Sequence, residues 1–354
     1  MSSRSLVAFI TNNVTHTTAN WLHDAPSWNV VSGWGVGPDM SRRVVATEYG
    51  GPEVLKITDV ELPAPGPGEV RLRVRAAGVN PADYKRYGGM FGMNRSELPM
   101  GIGFEAAGEI TAVGADATGP RGPLSIGDEV IAYRTPEAYA DEIIVPGEAV
   151  IPKPASLDWE PAAGLMLAGV TAVHAVTAAG VEAGDTVLIH NGAGGVGIAT
   201  IQLARARGAR VIATASPANH DLIRDLGGEP VAYGDGLLER VRALEPRSVD
   251  AAIDLIGDDS AVDVSLALVS DRTRIVTVAA FERAGADGFT AIGGGPGADP
   301  GTELRNAARL DLVDLAGRGE LRVLVDSTYP LADVVSAHER SIAGHLRGKI
   351  ILVP

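Results

Sequence analysis

The 354-residue chain has no cysteine. That excludes disulfides, cysteine-ligated zinc, iron–sulfur clusters and any thiol nucleophile. A chain free of thiols suits a reducing compartment, and a cytoplasmic location is the expectation. Basic residues are in deficit: 30 Lys and Arg against 44 Asp and Glu give a net charge of −14. Nucleic acid and anionic membranes attract basic footprints, so neither is an expected partner. Long apolar runs are scarce. Only the stretch 161–181, which lacks Asp, Glu, Lys and Arg, has the length of a bilayer span. Thr171, His174, Thr177 and interspersed glycines lower its hydropathy, and no basic flank follows. It reads as a buried helix. No secretory leader is evident, because the short apolar patch 6–10 runs directly into Thr and Asn.

Aromatic residues are few, at 5%, so their distribution is informative. Trp21, Trp28 and Trp34 all fall within residues 1–39, where the only charges are Arg4, Asp24 and Asp39. This segment has poor periodicity and reads as an extension outside the core. From 40 to about 163, short β-runs alternate with Gly/Pro turns. Residues 70–75 alternate apolar and basic, as a half-buried strand does. From 164 to 302 the pattern becomes strand, helix, strand: strands near 186–190, 210–214, 251–255 and 274–279, with helices near 196–207, 218–226 and 260–268. That alternation builds a doubly wound parallel sheet. A helix near 303–317 and strands near 321–325 and 349–353 then resemble the first region. The reading is one domain, 40–163 plus 303–354, interrupted by an α/β unit at 164–302.

The strongest chemical signal is Gly192-Ala193-Gly194-Gly195-Val196-Gly197. It fits G-x-G-x-x-G, follows a strand and opens a helix, the context in which this pattern carries weight. The first glycine makes the tight turn. The second lets backbone N–H groups approach a pyrophosphate, and the third permits close helix–strand packing. The helix N-terminus adds free donors and partial positive charge. An NAD site usually places an acid about 20 residues on, to bind the ribose 2′-hydroxyl. Here the second strand ends in Thr214-Ala215-Ser216-Pro217, and the first acid is Asp221. Ser216, Asn219 and His220 can instead donate to a 2′-phosphate. NADPH is therefore favoured, with NADH at lower affinity.

At this point a family resemblance emerges. The pattern Gly184-Asp185-x-x-Leu188-x-x-x-Gly192-Ala193-Gly194-Gly195-x-Gly197-x-x-x-x-Gln202-x-x-Arg205 resembles the signature of the quinone oxidoreductase/ζ-crystallin branch of the medium-chain dehydrogenases/reductases. Gly78-Val79-Asn80-Pro81-Ala82-Asp83-Tyr84-Lys85, the turn 101–108 around Glu105, and the Gly348-Lys349 ending are similar to further segments of that family. The resemblance spans about 40–354. It implies an α/β fold: a GroES-like β-barrel domain split around a Rossmann doubly wound parallel-sheet domain, with the active site between them. It also implies NADPH-dependent hydride transfer to a quinone or α,β-unsaturated carbonyl, and a homodimer. Zinc-dependent relatives need a Cys and a His. Here Asn80 stands near the expected Cys and Phe104 at the His position before Glu105, so no zinc is expected.

Without a metal, hydrogen-bond donors must meet the charge that develops on the carbonyl oxygen. The candidates are Asn80, by its amide, then Lys85 and Tyr87; Tyr133 is a weaker one, and Asp83 reads as a loop-capping carboxylate. On the cofactor side, resemblance adds Thr171, Val278 and Ala279 near the nicotinamide, Tyr233 near the 2′-phosphate, and Arg347 near a phosphate. His338 and His345 read as surface residues. Gly293-Gly294-Gly295-Pro296-Gly297 reads as a connector near the cleft. Two rival functions remain: an enoyl-thioester or 2-alkenal reductase of the same fold, and a crystallin-like NADPH-binding protein with little catalysis.

Overall fold

The computed structural model describes residues 39–245 and 248–354; the expected extension lies outside them, except that the first strand starts at Asp39. The first unit runs β1 (Asp39–Ala46), β2 (Leu55–Leu62), β3 (Glu69–Val79), α1 (Pro81–Tyr87), β4 (Met100–Gly101), β5 (Glu105–Val113), a hairpin of β6 (Thr118–Gly119) and β7 (Gly122–Pro123), β8 (Glu129–Tyr133), β9 (Glu142–Pro146) and β10 (Val150–Pro152). Two helices follow, α2 (Trp159–Ala163) and α3 (Met166–Ala178). The α/β unit runs β11 (Thr186–Ile189), α4 (Gly195–Ala206), β12 (Arg210–Thr214), α5 (His220–Asp225), β13 (Glu229–Val231), α6 (Leu237–Leu244), β14 (Ala251–Asp254), α7 (Asp259–Leu268), β15 (Ile275–Thr277), α8 (Phe281–Asp287) and β16 (Thr290–Ala291). The chain closes with α9 (Thr302–Gly317), β17 (Val325–Pro330), α10 (Val334–Ala343) and β18 (Lys349–Val353).

The α/β unit is a six-stranded parallel sheet in the order β13-β12-β11-β14-β15-β16. That is the doubly wound order, with the switch point between β11 and β14. Every residue of β11 and β14 is buried, as expected for strands covered on both faces. In the other unit the path is β10-β8-β5-β3-β18-β17, with β9 also on β3 and a small β2-β1-β4 sheet beside it. The last strand, β18, pairs antiparallel with β3, matching Ile351 to Gly78. The chain thus leaves the barrel, builds the α/β unit and returns to complete the first sheet.

Two details differ from the sequence reading. The helix α9, grouped there with the returning part, packs on α3, with Leu312 against Gly169 in the core of the α/β unit. The expected strand at 321–325 is a linker, and pairing begins only at Val325. Its apolar residues serve burial: Leu321, Val323 and Leu324 pack into the α/β core. Gln202 holds the linker in place. Its side chain accepts from Arg322 N–H at 2.8 Å and donates to Arg322 C=O at 3.0 Å, imitating a strand partner. The uncharged run 161–181 is split between α2, α3 and the turns beside them, and no helix among the described residues is long and apolar enough to cross a membrane.

Candidate functional site

The glycine loop sits at the switch point, where β11 hands over to α4. Asn191 enters it with a left-handed backbone, φ 61°, held by its N–H to Thr214 Oγ1 at 3.0 Å. A Cβ on Gly197 would lie 2.2 Å from Asn191 C=O, and one on Gly192 would lie 2.8 Å from Ala213 Cβ. No side chain fits at either position. Gly194 caps α4 with no side-chain partner, so the first N–H groups of the helix remain free for an anion. These features fit a dinucleotide pyrophosphate. The loop is also stitched to the other unit: Gly348 N–H donates to Ala193 C=O at 2.9 Å, and Gly194 and Gly348 form a parallel bridge. Gly348 has φ 103°, and a Cβ there would lie 2.2 Å from Leu324 C=O, so glycine is required for this approach.

The residues expected at the adenosine end follow β12. Asn219 Nδ2 donates to Ser216 Oγ at 3.3 Å, and a His220 ring nitrogen meets Ala215 C=O at 3.3 Å, so the three expected residues are neighbours. Tyr233 lies exposed after β13. Arg240, missed in the sequence, gathers the carbonyls of Ala232, Tyr233, Gly234 and Asp235 and fixes the loop that carries Tyr233. At the other end, Val278 and Ala279 are half-buried after β15. Their N–H groups are taken by Asp254 C=O and Thr277 Oγ1, so carbonyls are what they can offer a ligand. Thr171 accepts from Arg305 Nη1 at 3.3 Å. Arg347 is exposed beside Gly348, its N–H held by Asp326.

The opposite wall carries buried charge. Lys349 crosses the glycine loop, close enough that a Cβ on Gly195 would lie 2.8 Å from its Cδ. Its Nζ reaches Glu105 Oε1 at 3.0 Å, Val79 C=O at 3.1 Å and Asn80 Oδ1. Glu105, wholly buried, also accepts from Asn80 Nδ2 at 3.0 Å and from the Leu167 N–H at 2.8 Å. Asn80 caps α1 in a capping box with Asp83, whose Oδ2 accepts from Asn80 N–H and from Tyr139 OH, both at 2.7 Å. Burial pushes the Asp83 carboxyl up to about 7, against the pull of Tyr139, the Asn80 N–H and Lys349. Its Oδ1 has no partner.

Two expected roles fail on this geometry. Asn80 is buried, and its amide is committed to Gly78, Glu105 and Lys349, so it has no group left to meet a substrate. Tyr87 is buried too. Its hydroxyl shares a 2.8 Å hydrogen bond with His338 Nδ1, away from the cleft, and burial raises its pKa. His338 is correspondingly not a surface residue: it is fully buried, and burial holds its pKa down at about 4. Asp83 acts as the expected cap. His345 is exposed.

Lys85 is different. It lies on the face of α1 that looks toward the α/β unit and is half-buried. Burial lowers its pKa, and the charge that acts back on it is Asp254, at the C-terminal end of β14. Asp254 is itself buried, held by the Ile256 and Gly257 N–H groups and by Thr277 Oγ1 at 2.6 Å. Among the described residues Lys85 Nζ has no hydrogen-bond or ion-pair partner. The network residues Glu105 and Lys349 were legible only as parts of quoted motifs, not as a pair. Among the described residues no three His, Asp or Glu side chains converge to hold a metal ion.

Comparison with known proteins follows the same lines. A profile described as "Alcohol dehydrogenase GroES-like domain" matches residues 66–155, and one described as "Zinc-binding dehydrogenase" matches residues 226–352. The chain is 32% identical over 334 residues to a quinone oxidoreductase of Pseudomonas aeruginosa, covering 89% of this chain and 100% of the relative. Its fold is similar to that of the quinone oxidoreductase from Coxiella burnetii, at 31% identity and TM-score 0.75, with 89% and 100% coverage. It is also similar to a mycobacterial protein solved with NADPH, at 30% identity and TM-score 0.76, again with 89% and 100% coverage. The chain is an oxidoreductase of the medium-chain dehydrogenase/reductase family, in its quinone oxidoreductase branch.

Proposed function

We propose that this protein is an NADPH-dependent reductase that delivers hydride to a quinone or another α,β-unsaturated carbonyl, with no catalytic metal. The observation that carries the reading is a cleft with a free helix N-terminus on one wall and an unpaired, half-buried lysine, Lys85, on the other. The NADPH bound by a mycobacterial neighbour supports the choice of cofactor. In this reading the N–H groups at 195–197 and Arg347 hold the pyrophosphate. Ser216, Asn219, His220 and Tyr233 surround the 2′-phosphate. Thr171 and the carbonyls of Val278 and Ala279 orient the carboxamide. When bound, the cofactor supplies the hydride.

Lys85 Nζ then donates to the acceptor oxygen and stabilises the negative charge that develops there. Partial burial strengthens this interaction by excluding water. An enone or quinone delocalises that charge, so one ammonium suffices where a simple ketone would demand a stronger Lewis acid. Glu105, Lys349 and Asn80 do not touch the acceptor. They lock the Asn80 turn that launches α1, and so set where Lys85 points. The test is NADPH oxidation, followed optically, with benzoquinone and with an enone, in the native protein and in Lys85→Met. Turnover in the native protein and its loss in the variant, with NADPH affinity retained, supports the reading. A native protein that binds NADPH and reduces neither acceptor defeats it.

A further inference from the structure

A second set of cations lies where α9 meets α3 and the end of β8. Arg305, in the first turns of α9, is 9% exposed. Its Nη1 donates to Thr171 Oγ1 and its Nε to His174 Nδ1 at 3.2 Å; the Tyr133 hydroxyl also faces the guanidinium, and Nη2 is buried with no hydrogen bond of ordinary geometry. Among the described residues no carboxylate approaches its guanidinium within 4.0 Å. An arginine nitrogen can only donate, so His174 Nδ1 must accept and the imidazole proton sits on Nε2. That nitrogen faces Asp299 Oδ2 at 3.2 Å. Burial and Arg305 lower the His174 pKa, so a neutral ring stands between Arg305 and the nearest acid.

The neighbours do not help. Arg134 is exposed at a left-handed φ of 63° and stacks toward Tyr133, and Arg309 donates only to the carbonyls of Asn306 and Glu148. Neither has an ion-pair partner among the described residues. Their charges oppose one another, with Tyr133, Asp299 and Glu148 the acidic groups that face them. The N-terminal turns of a helix are also the wrong end for a cation. In a chain with 44 acidic residues, a buried guanidinium without a carboxylate calls for an anion from elsewhere.

The location favours the acceptor as its source. Thr171 lies one turn of α3 beyond Leu167, whose N–H holds Glu105, and Tyr133 pairs with Glu105 across β5 and β8. Over the orphaned nitrogen, a Cβ on Gly293 would lie 4.0 Å from Nη2, and the next residue, Gly294, approaches Phe91 of the other unit. A glycine-rich segment thus passes over Nη2 and reaches the other unit.

We propose that Arg305 anchors a carboxylate borne by the acceptor, with Arg134 and Arg309 drawing the anion toward the cleft. A planar monoanion matches the unused donors of one guanidinium, those on Nη2; a dianionic phosphate would need the outer arginines as well. The inference rests on the reductase reading and names its substrate class: carboxylated enones or quinones.

The test compares kcat/KM, with NADPH, for benzylideneacetone and its para-carboxylate. The native protein should prefer the carboxylate by about tenfold or more, the value of one charge-assisted hydrogen bond. Arg305→Leu should abolish that ratio, and Arg305→Lys should keep part of it. Should Arg305→Leu fail to fold, Arg305→Gln is read in its place for loss of the ratio. A native ratio near one, equal losses for both acceptors in the variant, or a preference for a coenzyme A thioester that depends on Arg309 instead, each overturns the proposal. If neither acceptor turns over, benzoquinone decides the reductase reading separately, and failure with it as well defeats that reading on its own. Calorimetry of the para-carboxylate with the NADP-loaded protein then decides the subsite: binding lost in Arg305→Leu supports it, and equal or absent binding refutes it.

Discussion

On the α/β side of the cleft the chain offers backbone: a glycine turn, free helix N–H groups and strand-end carbonyls. On the barrel side it offers side chains, with Glu105, Lys349, Asp83, Tyr139 and Asn80 joined in one buried network. The first wall tolerates little change because there is no room, as the 2.2 Å approach at Gly197 shows. The second tolerates little because the buried Lys349 ammonium and Glu105 carboxylate balance one another. A site of the first kind fails by steric exclusion and a site of the second by electrostatic imbalance. The two failures should separate in experiment, the first striking cofactor affinity and the second fold stability.

The largest expected effect lies in the network. Glu105→Leu leaves the Lys349 ammonium buried without its carboxylate, and should lower unfolding free energy by about 3–5 kcal/mol in urea titrations. Adding Lys349→Met should recover more than half of that loss. If the double variant is as unstable as the single, the pair is not electrostatically coupled and the contrast between the walls is wrong.

Asp83 sharpens the same side through pH. Its folded pKa, about 7, lies above the ordinary carboxylate value, so its contribution is fully present below pH 3.8 and is lost as pH rises through 7. The slope for one proton is at most about 1.4 kcal/mol per pH unit. Asp83→Asn should flatten thermal stability across this window. His338 acts in the opposite sense: with a folded pKa of about 4, it adds stability that is lost as pH falls from 6.5 toward 4. An Asp83→Asn profile parallel to the native one would remove Asp83 as the titrating group.

Lys85 tests the cleft between the walls. Lys85→Met should lower kcat by about a hundredfold, the low end for a positioned acid, and leave NADPH affinity within about twofold. Because burial lowers the Lys85 pKa, native activity should decline on the alkaline side below the ordinary lysine range. Lys85→Arg should move that decline upward. An alkaline limb unchanged in Lys85→Arg would assign it to another group.

How much of this was legible follows the same division. Glycine spacing writes backbone geometry directly into sequence, so the glycine loop, its strand and its helix were readable, and Ser216, Asn219 and His220 lie side by side after β12. The barrel network joins residues 80, 83, 105 and 139, far apart within the first unit, and adds 349 only through the return of β18 beside β3. Nothing in the local pattern of Asn80 shows that Lys349 will occupy its carbonyl. Tyr87 misled for the same reason: a phenol near a cleft motif is plausible until α10 buries it with His338. Arg305 carried no signal at all, since a lone arginine in an amphipathic helix reads as surface.

The smallest effect, and the one that isolates the cofactor wall, concerns the adenosine end. Asn219 sits beside Ser216 on the short turn after β12, without an Arg or Lys in the 216–220 stretch. In the proposed reading, recognition of a 2′-phosphate there would rest on neutral donors and His220, so discrimination against NADH should be modest. Asn219→Asp would put a negative charge where the proposed site places that phosphate. At a half-exposed site such repulsion is worth about 1 kcal/mol, or roughly fivefold in affinity. NADPH binding, followed by fluorescence titration, should weaken by that factor while NADH binding holds or improves, and added salt should shrink the difference. Equal weakening of both cofactors would mean that residue 219 shapes the turn without facing the phosphate. NADP preference would then belong to the loop that Arg240 holds around Tyr233.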